Sequence, residues 1–133
     1  DTVVCYNQQI LGKPKDAHAA YEMIQMLSGK THQVYTGVAI VHEASGFRLN
    51  FHEETSVSFK ILSEVELTEY IETKERNASG QLFFPWEGKA GAYGIQDTFG
   101  ARYISRIEGD YYNVVGLPVQ ALYTELSKIL LRK

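Results

Sequence analysis

His32-Gln33-Val34-Tyr35-Thr36-Gly37-Val38-Ala39-Ile40-Val41, the turn Ala44-Ser45-Gly46, and then Phe47, Leu49, Phe51, Val57, Phe59 and Ile61 on one parity form the stretch that decides the fold. β-Branched and aromatic residues in such runs favour strands. The first run carries apolar residues on both faces, which predicts a central strand in a sheet covered on each side. The second alternates with polar residues and predicts one long strand or two, with Glu53-Glu54-Thr55 as a polar interruption.

Toward the N-terminal side, Thr2 to Tyr6 reads as a buried strand, followed by the polar turn Asn7-Gln8-Gln9. Ile10 to Lys15 is broken by Gly12 and Pro14 and predicts no regular element. Asp16 can cap a helix over residues 17–27, with Ala20, Met23, Ile24 and Leu27 on its apolar face and Gly29 as its stop. The methionines read as core filler. On the other side, Ser63-Glu64-Val65-Glu66 is a capping box opening a helix with the stripe Leu67, Tyr70 and Ile71. Thr73 to Gly80 reads as a surface loop, and its Asn77-Ala78-Ser79 triplet as an ordinary polar turn.

Three glycines between Gly88 and Gly94, set around Lys89 and Tyr93, predict a backbone running close to a neighbouring strand or a ligand. Arg102–Ile107 and Tyr111–Val115 predict a hairpin around Glu108-Gly109-Asp110. Pro118 opens a last helix with Val119, Leu122, Leu126 and Ile129 facing inward and Lys128, Arg132 and Lys133 at its end. There is no internal repeat and no linker. Residues 1–133 therefore read as a single α/β unit with a mixed central sheet flanked by helices.

Composition narrows the function. With 133 residues, 44% hydrophobic and 22% charged, wholesale disorder is excluded. Thirteen Lys and Arg against sixteen Asp and Glu give a net charge of −3, a poor basis for gripping a nucleic acid polymer. No apolar run approaches the ~20 residues that cross a bilayer. The single cysteine, Cys5, excludes an internal disulfide framework and a Cys-rich zinc site and predicts a reducing, cytoplasmic setting. No Walker loop, GxGxxG fingerprint or nucleophile elbow is present. His18, His32, His42 and His52 are dispersed and read as surface or strand-end histidines.

Three polar groups beside apolar segments remain. Asp1 stands directly before a strand, where a carboxylate can hold Mg²⁺ or act as a base toward water; a first residue is otherwise simply exposed. Lys13, between Gly12 and Pro14, is a cation on a rigid mount that could meet phosphate oxygens, and spacing alone favours a solvated loop lysine. Gln96 ends a Gly-rich stretch, where its amide can read the edge of a base or equally bond to backbone.

These residues sit inside a longer pattern. Asp1-Thr2-Val3-Val4, Ile10-Leu11-Gly12-Lys13-Pro14-Lys15-Asp16, Leu27-Ser28-Gly29-Lys30-Thr31-His32 and Thr36-Gly37-Val38-Ala39 follow one another in order. Lys89-Ala90-Gly91-Ala92-Tyr93-Gly94-Ile95-Gln96 and Gly109-Asp110-Tyr111-Tyr112-Asn113-Val114-Val115-Gly116-Leu117-Pro118 come later. Together they resemble the Maf family of nucleoside triphosphate pyrophosphatases, called septum formation inhibitor proteins in bacteria. The resemblance implies hydrolysis between the α and β phosphates, to a monophosphate and pyrophosphate, with a divalent ion such as Mg²⁺ or Mn²⁺. It implies Asp1 as the catalytic acid and a metal ligand, and Lys13 as the phosphate-binding lysine. Thr2 and Gln96 match the branch that prefers dTTP and UTP, as against the one acting on 7-methyl-GTP. The implied fold has two lobes around a cleft over a long mixed sheet, related in shape to the inosine triphosphatases.

Some features depart from that pattern. The family's Ser-x-Ser-x-x-Arg phosphate loop, with the glutamate and lysine after it, does not precede Asp1, so roughly the first third of such a domain is expected to be missing. Gly88 stands where many members have Asp, and residues 74–86 read as an insertion. The expected partners are nucleoside triphosphates, without nucleic acid or membrane and with a homodimer left open. The alternative, if the chain truly starts at Asp1, is a non-catalytic nucleotide-binding or interaction module.

Overall fold

In the computed structural model, which describes residues 1–131 with the side chains of 98 and 99 excepted, the two apolar runs form one long antiparallel hairpin. Its arms are β3 (Thr31–His42) and β4 (Phe47–Phe59), in register from Thr31 opposite Ser58 to His42 opposite Phe47. Around it lie β1 (Thr2–Tyr6), β2 (Gln9–Leu11) and β7 (Ile104–Glu108), giving the strand order β2-β1-β3-β4-β7. The helices are α1 (Ala17–Leu27), α2 (Glu64–Glu72), α3 (Thr98–Tyr103), α4 (Tyr111–Val115) and α5 (Val119–Leu131). A two-stranded ribbon, β5 (Glu75–Arg76) with β6 (Leu82–Phe83), stands apart. The fold is α/β with a central sheet flanked by helices, and all the described pairings are antiparallel.

One face of the sheet is buried. Val4, His32, Val34, Thr36, Thr55, Val57 and Phe59 share it; the apolar ones join Ala20, Ile24 and Leu27 of α1 and Leu67, Tyr70 and Ile71 of α2 in one core, while Thr36 and Thr55 bond to Asn113 of α4. Burying each large apolar side chain here contributes about 1.5–3 kcal/mol. The other face carries Gln33, Tyr35, Glu54, Ser56, Ser58 and Arg106, none of them buried. This corrects the expectation that β3 is covered on each side: its second face meets polar residues of β4. Nor do Glu53-Glu54-Thr55 interrupt β4. Thr55 points inward, its Oγ1 accepting from the Asp110 N–H and donating to the Asp110 carbonyl, both at 3.1 Å.

Capping chemistry works as expected at both early helices. The Asp16 carboxylate accepts from the Ala19 N–H at 2.8 Å, and Ser63 and Glu66 close a reciprocal capping box. Elsewhere local chemistry overrides strand propensity. Tyr111–Val115 is a helix, not the second arm of a hairpin. The Asp110 carboxylate caps it from the Tyr112 N–H at 2.9 Å, and Gly116 at φ 138° ends it. Its Asn113 side chain is buried and donates to Val34 O, Glu53 O and Thr55 Oγ1, bonds that tie α4 to the sheet. Of the segment Ile10–Lys15, expected to hold no regular element, Ile10 and Leu11 join Gln9 of the expected turn in β2, which pairs with β1 through Asn7 and Gln8 at positive φ.

The expected surface loop Thr73–Gly80 contains β5, which pairs with β6 just beyond it, and Asn77 Oδ1 closes their connection by accepting from the Ser79 and Gln81 N–H groups. α5 follows Pro118 as expected, but of its expected inward stripe Val119 and Leu126 are exposed, Leu122 and Ile129 are only half-buried, and no residue of the helix is fully buried. Arg132 and Lys133 lie outside the described residues. Among the described residues no helix is long and apolar enough to cross a membrane.

Candidate functional site

Asp1, Thr2, Lys13 and Gln96 line one cavity of about 370 Å³, at the edge where β1 meets the Gly-rich loop. The strand register explains the first two. The Gly37 N–H donates to Asp1 O at 2.9 Å, so β1–β3 pairing runs through Asp1, and Thr2 lies opposite Thr36. Lys13 arrives because β2 folds back on β1. The Gly91 N–H donates to Gly12 O at 3.1 Å, joining the lysine's loop to the glycine loop, and the buried Pro14 follows. Lys13 itself is exposed. No side chain among the described residues pairs with the Asp1 carboxylate.

The Gly-rich loop is held from beneath. Gly91 has φ +71°, and a Cβ there would come within 3.0 Å of Val4 Cγ1, the close approach to a strand that the glycines announce. Ala92 adopts φ 66°, a conformation that is strained for a residue with a side chain. The Tyr70 hydroxyl fixes it by donating to Ala92 O at 2.7 Å. Tyr93 reaches the buried His32, with Nε2 and the hydroxyl oxygen 2.6 Å apart. Burial lowers the His32 pKa from 6.5 to about 4, so the ring is neutral near pH 7, and burial pushes the Tyr93 hydroxyl up.

Thr2 is already engaged. Its Oγ1 lies 2.9 Å from Thr36 Oγ1 and 3.2 Å from Gly116 O, and Thr36 Oγ1 donates to Asn113 O at 3.3 Å. This hydroxyl chain sews the start of β1 to the end of α4 and sets the cavity wall opposite the glycine loop. A ligand acceptor would compete for the Thr2 hydroxyl proton, whereas a ligand donor can still meet a lone pair of Oγ1.

Sequence reasoning missed two charged residues here. Lys89 and Asp97 line the cavity and form an ion pair, with side chains 33% and 17% exposed. The glycine spacing flagged the segment, but in a regular helix or strand residues eight apart stand about 12 Å or more from each other, so no period points to an ion pair between them. The other histidines stand away from the cavity: His18 pairs with Glu22 at 2.9 Å, His42 Nδ1 with Ser45 Oγ at 2.6 Å, and His52 is exposed on β4.

Chemically, the cavity offers an unpaired carboxylate (Asp1), an exposed ammonium (Lys13), a side-chain amide (Gln96) and an apolar floor from Val4, Val34 and Tyr93. That set suits a ligand with an anionic end and a flat, hydrogen-bonding end.

The family described as Maf-like protein matches residues 1–129. The dTTP/UTP pyrophosphatase of Bacillus cytotoxicus is 50% identical over 128 residues, which are 96% of this chain and 60% of that protein. Proteins of the same name from two strains of Bacillus cereus are 47% and 48% identical over the same shares. The chain thus spans about 60% of the length of the curated relatives it matches.

Proposed function

This chain belongs to the Maf family, and from that premise we propose that it forms, as one unit, the larger part of a nucleoside triphosphate pyrophosphatase acting on dTTP and UTP. The observation that carries the proposal is the convergence of Asp1, Thr2, Lys13 and Gln96 on one cavity, from three separate segments of the chain. The names of the relatives support the substrate class.

In this reading Asp1 takes a proton from the attacking water or holds a divalent ion, Lys13 neutralises charge on the phosphates, and Gln96 meets the base with Thr2 beside it. Gln96 offers a donor and an acceptor, which complement the O4 and N3–H edge of uracil or thymine. No group of three or more His, Cys, Asp or Glu able to hold a metal occurs among the described residues. Asp1 alone fits an ion such as Mg²⁺ or Mn²⁺ that takes one or two carboxylates and completes its shell with substrate phosphates and water. Such an ion would screen the phosphates during attack. A cytoplasmic enzyme that works without nucleic acid or membrane, alone or as a homodimer, completes the reading.

A second reading is a module that binds nucleotide without turning it over. It draws on the fact that of the two lysines lining the cavity, Lys89 is already paired with Asp97. A nucleotide panel with Mg²⁺ and pyrophosphate detection separates the two. The expected result is pyrophosphate and monophosphate from dTTP and UTP. Release of inorganic phosphate and a diphosphate overturns the proposed reaction, and binding without turnover supports the module. Asp1→Asn keeps the shape and removes the basicity, so kcat should fall by roughly a hundredfold or more.

A further inference from the structure

Gln96 sits on a turn that is clamped from two sides. The Asp97 N–H donates to Gly94 O at 3.2 Å and closes the turn through Ile95 and Gln96. On one side a Cβ at Gly100 would lie 2.2 Å from Gly94 O, so the first turn of α3 rests directly on it. On the other side a Cβ at Gly94 would lie 2.7 Å from Asp97 Oδ2 and 3.0 Å from Lys89 Nζ, so the ion pair occupies that space. Asp97 stands at the N-cap of α3, where an aspartate ordinarily accepts from the helix amides; it makes no such bond and gives its carboxylate to Lys89. The Lys89 ammonium also lies 5.6 Å from the centre of the Phe83 ring, which fixes its approach.

We infer that the Lys89–Asp97 pair is a positioning device for Gln96: it locks the Gly94–Asp97 turn, holds the amide at the cavity and thereby sets the base selectivity of the site. The clamp stands on geometry alone, and its consequence for selectivity rests on the role proposed above for Gln96. Lys89 and Asp97 need not touch the nucleotide.

Two single variants with opposite electrostatic consequences test this. Asp97→Asn leaves a lysine unpaired in the cavity, and Lys89→Gln leaves an aspartate unpaired there. A purely electrostatic role would strengthen binding of every triphosphate in the first and weaken it in the second, with the dTTP to GTP ratio of kcat/KM unchanged. Positioning predicts that this ratio falls about tenfold in both and is restored by Lys89→Arg. In a Gln96→Ala background neither variant should lower it further, because the pair acts through that side chain. Independently of activity, hydrogen exchange of the Asp97 amide in this chain without nucleotide should speed up by about tenfold or more in both variants, while amides in the middle of β3 stay unchanged. Unchanged Asp97 exchange overturns the clamp. Faster exchange with an intact ratio overturns its link to selectivity. If the unmodified protein does not distinguish dTTP from GTP, the role of Gln96 falls, and the exchange data still decide the clamp.

Discussion

The loop from Gly88 to Asp97 contains only a short 3-10 turn yet is pinned on every side, whereas α5 is a regular helix of 13 residues of which none is buried. The loop is tied by the Tyr70 hydroxyl, by Tyr93 on His32, by the Gly91 amide on Gly12 and by the Lys89–Asp97 pair. The helix has an apolar stripe but contributes nothing to the main core cluster. Regular backbone and fixed position are different properties. The first follows from local hydrogen bonds, the second from buried groups that lose partners if the segment moves. The candidate site is built on the segment with the second property.

If the loop is held by buried polar bonds, acid should attack it first. His32 binds a proton with a pKa of about 4 in the folded chain and 6.5 when exposed. As pH falls below 6.5 the unfolded chain takes up the proton and the folded chain does not, so stability drops as pH falls toward 4. The full loss is about 3 kcal/mol, since each pKa unit is worth ~1.4 kcal/mol. Urea unfolding from about pH 7 down to pH 5, above most carboxylate titrations, should already show part of that slope. A flat profile there would mean that His32 is not sealed under the loop.

Gly91→Ala probes the same region through packing. The new Cβ meets Val4 at 3.0 Å and a positive φ, so a loss of roughly 2 kcal/mol is expected. Gly46→Ala is the matched control, with the same φ of +71° but open space within 4 Å, and should cost only about 1 kcal/mol. Equal thermal shifts for the two variants would show that backbone strain alone, not contact with β1, makes Gly91 necessary.

The two regions also differ in how they could be read from the chain. The hairpin β3–β4, α1 and α2 were legible because periodicity and caps are local, and both helices and the inner half of the hairpin bury the face that the period marks, whereas Phe47, Leu49 and Phe51 are only half-buried and Ile61 lies exposed beyond β4. The segment Tyr111–Val115 was not, because its strand-like residues are overruled by the cap at Asp110 and by Asn113 reaching the carbonyls of Val34 and Glu53, contacts distant in sequence. Of the cavity, Asp1, Lys13 and Gln96 were visible only as isolated polar residues, and it took the family resemblance to group them with Thr2. The Lys89–Asp97 pair was invisible, since only the folded turn brings the two together. The stripe of α5 was read correctly as apolar, but only Leu122 and Ile129 of the four residues expected to face inward are even half-buried. A period shows which residues share a face, and nothing in it states what lies against that face.

The smallest expected effect is therefore on α5. Leu27 of α1 and Leu126 of α5 occupy the same kind of helical position, on an apolar stripe with 3.6-residue spacing. Leu27 is 0% exposed and Leu126 is 39% exposed. Alanine is the best helix former, so Leu→Ala removes packing without weakening either helix. At Leu27 the lost transfer energy and the cavity left behind should together cost about 2–5 kcal/mol. At Leu126 much of the side chain already meets water and the surroundings can close over the rest, so the change should stay within about 1 kcal/mol. Equilibrium denaturation of the two variants of this chain makes the comparison directly. A loss at Leu126 as large as that at Leu27 would show that the stripe of α5 is covered in solution, and the contrast between a pinned loop and an unburied helix would no longer hold.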